Sequence, residues 1–223
     1  MLFILATNNP GKAREFKPAF DAAGLELISL ADLCIDFEAG EDGDTFAHNA
    51  TQKAQEVAAH IGEQLAQNSL IRLHVHNHDF AVLADDSGLV IDALDGAPGV
   101  DSALFMGRDT PYVQKCNAIL DMLKDVPEDK RTARFICTLA CKWPDGTVTL
   151  AESTVEGRIA HNMHGEGGFG YDPIFYYPPQ GKTMAEMSQD EKNQVSHRGQ
   201  AIQKMIGLIV NAGVDNQRLP RQE

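Results

Sequence analysis

Hydrophobic and polar positions alternate in blocks that predict strands and helices in turn. Residues 2–6 are a continuous apolar run of strand length, stopped at once by Asn8-Asn9-Pro10-Gly11. Pro10 suits the first turn of a helix, which the pattern carries over residues 12–23 to Gly24. Phe16, Ala19, Phe20 and Ala23 supply the 3-4-3 spacing of one buried face. Residues 25–30 read as a second strand. An acidic stretch over residues 36–44 then leads to a long helix with Thr45 as N-cap and Ala50, Ala54, Val57, Ala58 and Ile61 as its buried stripe. Residues 80–84 predict a buried strand that ends at Asp85-Asp86-Ser87-Gly88, and residues 89–94 a further short one. A helix is expected over residues 109–124, with Tyr112, Cys116, Ile119 and Leu123 on one side. Two β-rich runs, 131–143 and 147–156, flank Pro144-Asp145-Gly146, a hairpin signal. A last amphipathic helix starts at Ser196 and runs to about residue 211, before a polar tail. Early strand–helix alternation and a late hairpin, with no internal repeat, indicate an α/β protein built on a mixed sheet.

Charge narrows the function. The chain has 223 residues, 19 Lys and Arg against 32 Asp and Glu, and a net charge of −13. A broad phosphate surface repels such a body, so nucleic acid and anionic membranes are excluded as partners unless the few cations are gathered in one place. A hydrophobic fraction of 43% is too high for a disordered acidic chain. No apolar run reaches the ~18 residues of a membrane span, and the N-terminus lacks a basic leader region. Cys34, Cys116, Cys137 and Cys141 form no paired framework, which fits thiols in a reducing cytoplasm.

Five segments bear chemistry. Thr7-Asn8-Asn9-Pro10-Gly11-Lys12 stands where a strand passes into a helix, a place that favours an anion; in isolation it reads equally as an Asn-Pro-Gly turn. The acidic loop brings Glu41 and Asp42 ahead of the long helix, on which Asn49 and Lys53 share a face. In Ala84-Asp85-Asp86-Ser87-Gly88, adjacent acids at a strand end point to Mg²⁺ or a raised pKa, or to one capping and one solvated Asp. Gly165-Glu166-Gly167-Gly168-Phe169-Gly170-Tyr171-Asp172-Pro173 supplies a close-approach backbone with aromatics able to stack on a base. Ser196-His197-Arg198 puts two cationic residue types in the first turn of a helix, against its dipole, which indicates a compensating external anion. His74, His76 and His78 would share a face on a strand, but they lie in a polar insertion over residues 67–79 that reads as a surface loop.

Together and in order, these motifs resemble the inosine triphosphate pyrophosphatase-like family. The matching pieces also include Glu15, Gly43-Asp44-Thr45-Phe46-Ala47-His48-Asn49-Ala50 and Gly96-Ala97-Pro98-Gly99-Val100, so the likeness spans nearly the whole chain. It implies an elongated, two-lobed α/β fold around a long mixed sheet with flanking helices. One catalytic domain would occupy residues 1–215, with a polar tail over 216–223. It implies hydrolysis of deaminated purine nucleoside triphosphates (ITP, dITP, XTP) to the monophosphate and pyrophosphate, with Mg²⁺, by a homodimer. By match to the family's motifs, Thr7, Asn9 and Lys12 would hold the triphosphate, with Asn8 beside them. Glu41 and Asp86 would hold Mg²⁺, and Asp86 would be the general base. Lys53 and Ser87 would contact substrate. Phe169 would stack on the base, and Gly170, Tyr171, Asp172, Lys192, His197 and Arg198 would line the base and phosphate pocket.

The chemistry of the residues agrees with this. Attack of water on phosphorus needs a carboxylate base, and a polyanionic substrate needs fixed cations. A 6-keto purine accepts at O6 where adenine donates, so a donor such as Arg198 or His197 can reject adenine. The expected field is a cationic cleft, Mg²⁺ included, on an acidic body. One departure stands out: the family commonly carries Arg after Ser-Ala, and here Leu104 follows Ser102-Ala103. A non-catalytic nucleotide-binding module and a pyrophosphatase for other modified nucleotides are the competing readings.

Overall fold

The N-terminal apolar run becomes β1 (Leu2–Leu5), buried at every position. Its alternation feeds two cores: Phe3 and Leu5 pack on one face of the sheet, Leu2 and Ile4 on the other. The computed structural model of the chain describes residues 1–67, 75 and 79–218. After β1 come α1 (Pro10–Ala22), β2 (Glu26–Ser29), α2 (Phe46–Gln67), β3 (Phe80–Ile91), α3 (Tyr112–Met122), β4 (Thr132–Lys142), β5 (Val148–Ile159), β6 (Phe175–Tyr177), β7 (Lys182–Thr183), α4 (Gln189–Val195) and α5 (His197–Arg218). The strands form one seven-stranded mixed sheet in the order β2-β1-β3-β4-β5-β6-β7. β1 runs parallel to β2 and β3, and the remaining neighbours are antiparallel.

The helices cover the sheet by their apolar faces. Phe16 and Phe20 of α1 and Ala201, Ile202, Met205 and Ile206 of α5 join Phe3, Leu83 and Leu139 on one side. Ala50, Ala54, Val57 and Ile61 of α2 meet Ile4, Val82 and Ala84 on the other. A third core lies around the distal halves of β3, β4 and β5. It combines Leu89, Ile91, Phe135 and Val155 with Cys116 and Ile119 of α3 and with Phe175 and Met184. Arg131, fully buried, donates to the carbonyls of Leu123, Ile159 and Ala160 and ties α3 to the end of β5.

Four expectations change. Residues 80–91 are one strand, not two, because β4 pairs with it without a break from Val82 to Ile91. The acid pair therefore sits in mid-strand. What ends there is β1, whose ladder with β3 stops at Leu5 and Leu83. Tyr112, expected on the buried side of its helix, is 40% exposed. The last helix continues to Arg218, beyond the expected end near residue 211, while residues 219–223 of the polar tail lie outside the described part. His74, His76 and His78 also lie outside the described residues; Val75, between them, is buried against the α2-side core.

Gly88 lets the turn over residues 99–103 lie directly on β3. A Cβ there would run into the Gly99 carbonyl and come within 2.7 Å of the Ser102 hydroxyl and of the Phe46 ring. Ser102 Oγ in turn accepts from Leu89 N and donates to Gly99 O. Gly88→Ala is therefore expected to destabilise by about 1–3 kcal/mol through overpacking, read as a lower urea midpoint at unchanged slope. A variant as stable as the parent would contradict this packing.

Candidate active site

Local structure places each polar side chain. Asn9 is the N-cap of α1: its Oδ1 accepts from Gly11 N at 2.8 Å, and its own N–H donates to Thr7 Oγ1 at 3.1 Å. One turn on, Lys12 reaches past the end of β1 to ion-pair with the Asp85 carboxylate and donate to its carbonyl. Thr45 caps the start of α2 through His48 N. Ser188 caps α4 in a reciprocal box with Glu191, and Ser196 caps α5 through Gly199 N at 3.0 Å. The extended backbone at Ser196 breaks α4 from α5 and turns His197 and Arg198 inward.

Strand alternation sends the paired acids to opposite sides. Asp86 faces α2, where Lys53 Nζ donates to its Oδ1 at 2.8 Å and Asn49 Nδ2 to its Oδ2 at 3.2 Å. The same ammonium lies 2.5 Å from Glu41 Oε1. Burial raises the Asp86 pKa against the pull of Lys53. Glu41 shifts the other way: burial would raise it, but Lys53 and more distant cations hold it low. Asp85 faces α1 and α5. It accepts from Arg198 Nε at 2.9 Å and Ser87 Oγ at 2.8 Å, with Lys12 and Cys137 Sγ on the same carboxylate. Complete burial works against its charge, yet Arg198 and Lys12 keep it well below the ordinary carboxylate range.

From Asp85 the charges alternate inward. Arg198 Nη1 donates to Glu15 Oε2 at 2.6 Å, Lys192 Nζ to Glu15 Oε1 at 2.8 Å, and Lys192 also to Asp172 Oδ2 at 2.7 Å. Lys12, Asp85, Arg198, Glu15, Lys192 and Asp172 thus form one chain, with all but Lys12 buried. Asp172 Oδ2 also accepts from Phe169 N, closing the glycine-rich turn. Gly168, at φ +69°, is required there, since a Cβ would overlap that carboxylate. The ammonium of Lys192 and the guanidinium of Arg198 stand 4.5 and 5.2 Å from the centre of the Phe169 ring. His197 stacks on Phe135 at 4.6 Å, and its buried Nδ1 has no partner. Burial, and then Arg198, push its pKa well down, so it is neutral. The first turn of α5 is therefore compensated from within, by Asp85, Glu15 and a neutral imidazole, and not by the external anion its sequence pointed to.

Most of these side chains meet at one cleft of about 380 Å³, with Glu15, Asn49, Cys137 and the capping residues Thr45, Ser188 and Ser196 behind its lining. Thr7, Asn8, Asn9, Lys12, Glu41, Lys53, Asp86, Ser87, Phe169, Gly170, Tyr171, Asp172, Lys192, His197 and Arg198 line it, so the residues selected from the sequence come together. Tyr171 contributes a wall, since its hydroxyl donates to Ser102 O at 2.8 Å. Five cations and five carboxylates line the cleft. The chain's own walls are near neutral rather than cationic, and a net positive cleft has to include a bound metal.

Residues 3–208 match the model of the Ham1 family. The chain belongs to the Ham1 family. It is 41% identical over 209 residues to a dITP/XTP pyrophosphatase of Desulforamulus reducens, covering 94% of this chain and 96% of that one. It is likewise 41% identical over 206 residues to a dITP/XTP pyrophosphatase of Bacillus subtilis, covering 92% and 96%. Among solved structures, the Ham1 protein of Staphylococcus aureus superposes with TM-score 0.76 at 35% identity, covering 95% of this chain and all of that one. A HAM1 protein of Coxiella burnetii gives 0.78 at 32%, with the same coverage.

Several residues of this Ham1 family site were not selected from the sequence. Glu15 was quoted in the likeness without a role, yet it joins Lys192 and Arg198. Asn49 and Asp85 were noted but not assigned, and they hold Asp86 and Arg198. Arg108 lines the cleft, and nothing in its local sequence marks it. Cys116, Cys137 and Cys141 are the buried thiols, and burial lifts Cys116 to about 11 and Cys141 to about 12, whereas Cys34 is exposed.

A neutral native His197 has a measurable consequence. Its ordinary pKa is 6.5, so below that pH the unfolded chain takes up a proton that the folded one refuses. Stability is full above pH 6.5 and declines as pH falls. Relative to His197→Gln, wild type should lose about 1 kcal/mol between pH 6.5 and 5.5, measured by urea unfolding. A difference that stays flat over that range would contradict a buried neutral imidazole.

Proposed function

We propose that this chain hydrolyses deaminated purine nucleoside triphosphates, dITP, ITP and XTP, to the nucleoside monophosphate and pyrophosphate. The observation that carries the reading is Asp86. It is a buried carboxylate with a raised pKa, fixed by Lys53 and Asn49 in a cleft with polar loops at one end and an aromatic, glycine-rich turn at the other. The names of the relatives support the substrate class.

Asp86 acts as general base: it takes a proton from water as that oxygen bonds to the α-phosphorus and the Pα–O–Pβ bond breaks toward pyrophosphate. Lys12, with Thr7 and the Asn8–Asn9 amides at the start of α1, takes the phosphates. Phe169 stacks on the purine, with Gly170 and Tyr171 shaping that end. Three N–H groups of Arg198 are held by Asp85, Glu15 and Ser87. That leaves two of its five for the base, with the His197 ring lining the cleft beside them. The remaining Arg198 donors suit the O6 acceptor of hypoxanthine and xanthine and oppose adenine.

A divalent cation fits these residues. Glu41 and Asp86 offer two hard oxygen ligands either side of one ammonium. Among the described residues no group of three His, Cys, Asp or Glu side chains is gathered for a metal. Two carboxylates completed by substrate phosphates and water is how Mg²⁺ is commonly held. When bound, it supplies positive charge against the phosphate oxygens, which the balanced cleft walls lack.

We also infer a cytoplasmic homodimer. Four free cysteines fit a reducing compartment. Among the described residues no helix is long and apolar enough to cross a membrane. Exposed Leu104, Met106 and Val113 support an interface with a second copy, checked by light scattering.

With dITP and Mg²⁺ the products should be dIMP and pyrophosphate in equal amounts, and ATP should be a poor substrate in the same panel. Orthophosphate alone, or preference for a modified pyrimidine, would sink the reading. Asp86→Asn should lower turnover by about 10²- to 10⁴-fold, the usual contribution of a general base, with nucleotide binding retained. Activity within tenfold of wild type would remove Asp86 as the base.

A further inference from the structure

The cations of the cleft are not equally available. Lys12, Lys53, Lys192 and Arg198 are each already ion-paired with carboxylates at short range: Asp85, Glu41 with Asp86, Glu15 with Asp172, and Asp85 with Glu15. Arg108 differs. It lines the same cleft from the loop before α3, its side chain is 55% exposed, and its ion pair is a 3.5 Å approach to Glu38, itself 73% exposed. An exposed pair at that distance contributes little and opens readily. Arg108 also helps hold down the pKa of Glu41, which places its charge on the metal-and-phosphate side of the cleft. Leu104, which stands where a family arginine is common, is not among the residues that line the cleft, whereas Arg108 is, with only the exposed Glu38 as its ion-pair partner.

We propose that Arg108 leaves Glu38 when substrate enters and pairs with the β- and γ-phosphates, remaining on the pyrophosphate until it departs. This rests on the triphosphate reading above and names a contact within it. A guanidinium matches phosphate oxygens with paired N–H groups. The exchange replaces a long, solvated contact with one to a highly charged anion. Glu38 is then an internal placeholder that keeps the cleft mouth near neutral in the free enzyme.

The test measures pyrophosphate binding directly, with Mg²⁺, by calorimetry on wild type and Arg108→Ala, beside steady-state hydrolysis of dITP. Arg108→Ala should weaken pyrophosphate binding and raise KM by about tenfold each, the scale of one half-exposed charged contact. In addition kcat should stay within about threefold and inhibition by dIMP should be unchanged, because the contact lies beyond the α-phosphate. Arg108→Lys should fall between the two, and the variant should show a shallower fall of kcat/KM with salt. Equal pyrophosphate affinity in wild type and Arg108→Ala overturns the proposal, as does a matching loss of dIMP affinity. The two failures are separable: a wild type that binds pyrophosphate through Arg108 yet does not turn over dITP refutes the reaction, not the contact.

Discussion

Glu15 is the interaction on which the rest depends. One buried carboxylate joins Lys192 of α4 to Arg198 of α5, and through them Asp172 at the glycine-rich turn and Asp85 on the central strand. Removing such charges from water costs several kcal/mol per ion, so a member left without its partner in the interior is strongly unfavourable. That condition fixes five separate segments relative to one another. It also orients Arg198, Lys192 and Phe169 before any ligand arrives, which is the preorganisation that makes electrostatic catalysis effective.

The sheet supplies the place for this network. β1 stops at Leu5 while β3 runs on to Ile91, so the acids that follow Leu83 lose a neighbour on one side and gain a cleft. Alternation then divides the labour. Asp85 faces the α1 and α5 side as a counter-ion with a depressed pKa, and Asp86 faces α2 as a base with a raised one. Two adjacent residues of the same type acquire opposite proton affinities from the number of cations each meets. An acidic chain takes an anionic ligand on the same terms. The cleft is balanced, not basic, and positive charge enters with a divalent cation and with the loosely held Arg108.

Much of this was legible in the sequence because it is local. Apolar period, Pro10 at a helix start, the Pro-Asp-Gly hairpin and the helix starts at Thr45 and Ser196 are all contained in a few residues each, and each is where the pattern put it. The ordered motifs also picked out side chains that the structure gathers at one cleft. What was hidden is non-local. The break read after Ala84 marks the end of β1, a different strand. Glu15 looks like one more acid on a helix until Lys192 and Arg198, 177 and 183 residues away, arrive beside it. The same holds for the dipole argument at α5, whose answer came from α1 and β3.

Equilibrium unfolding of Glu15→Gln measures how far the fold depends on this carboxylate. Gln keeps the shape and removes the charge, leaving Lys192 and Arg198 short of a counter-ion in the interior. If the alternating chain holds the molecule together, the variant should lose about 3–5 kcal/mol of stability at neutral pH, as breaking a buried ion pair does. A loss below about 1 kcal/mol, the scale of an exposed pair, would mean that the network is incidental to the fold.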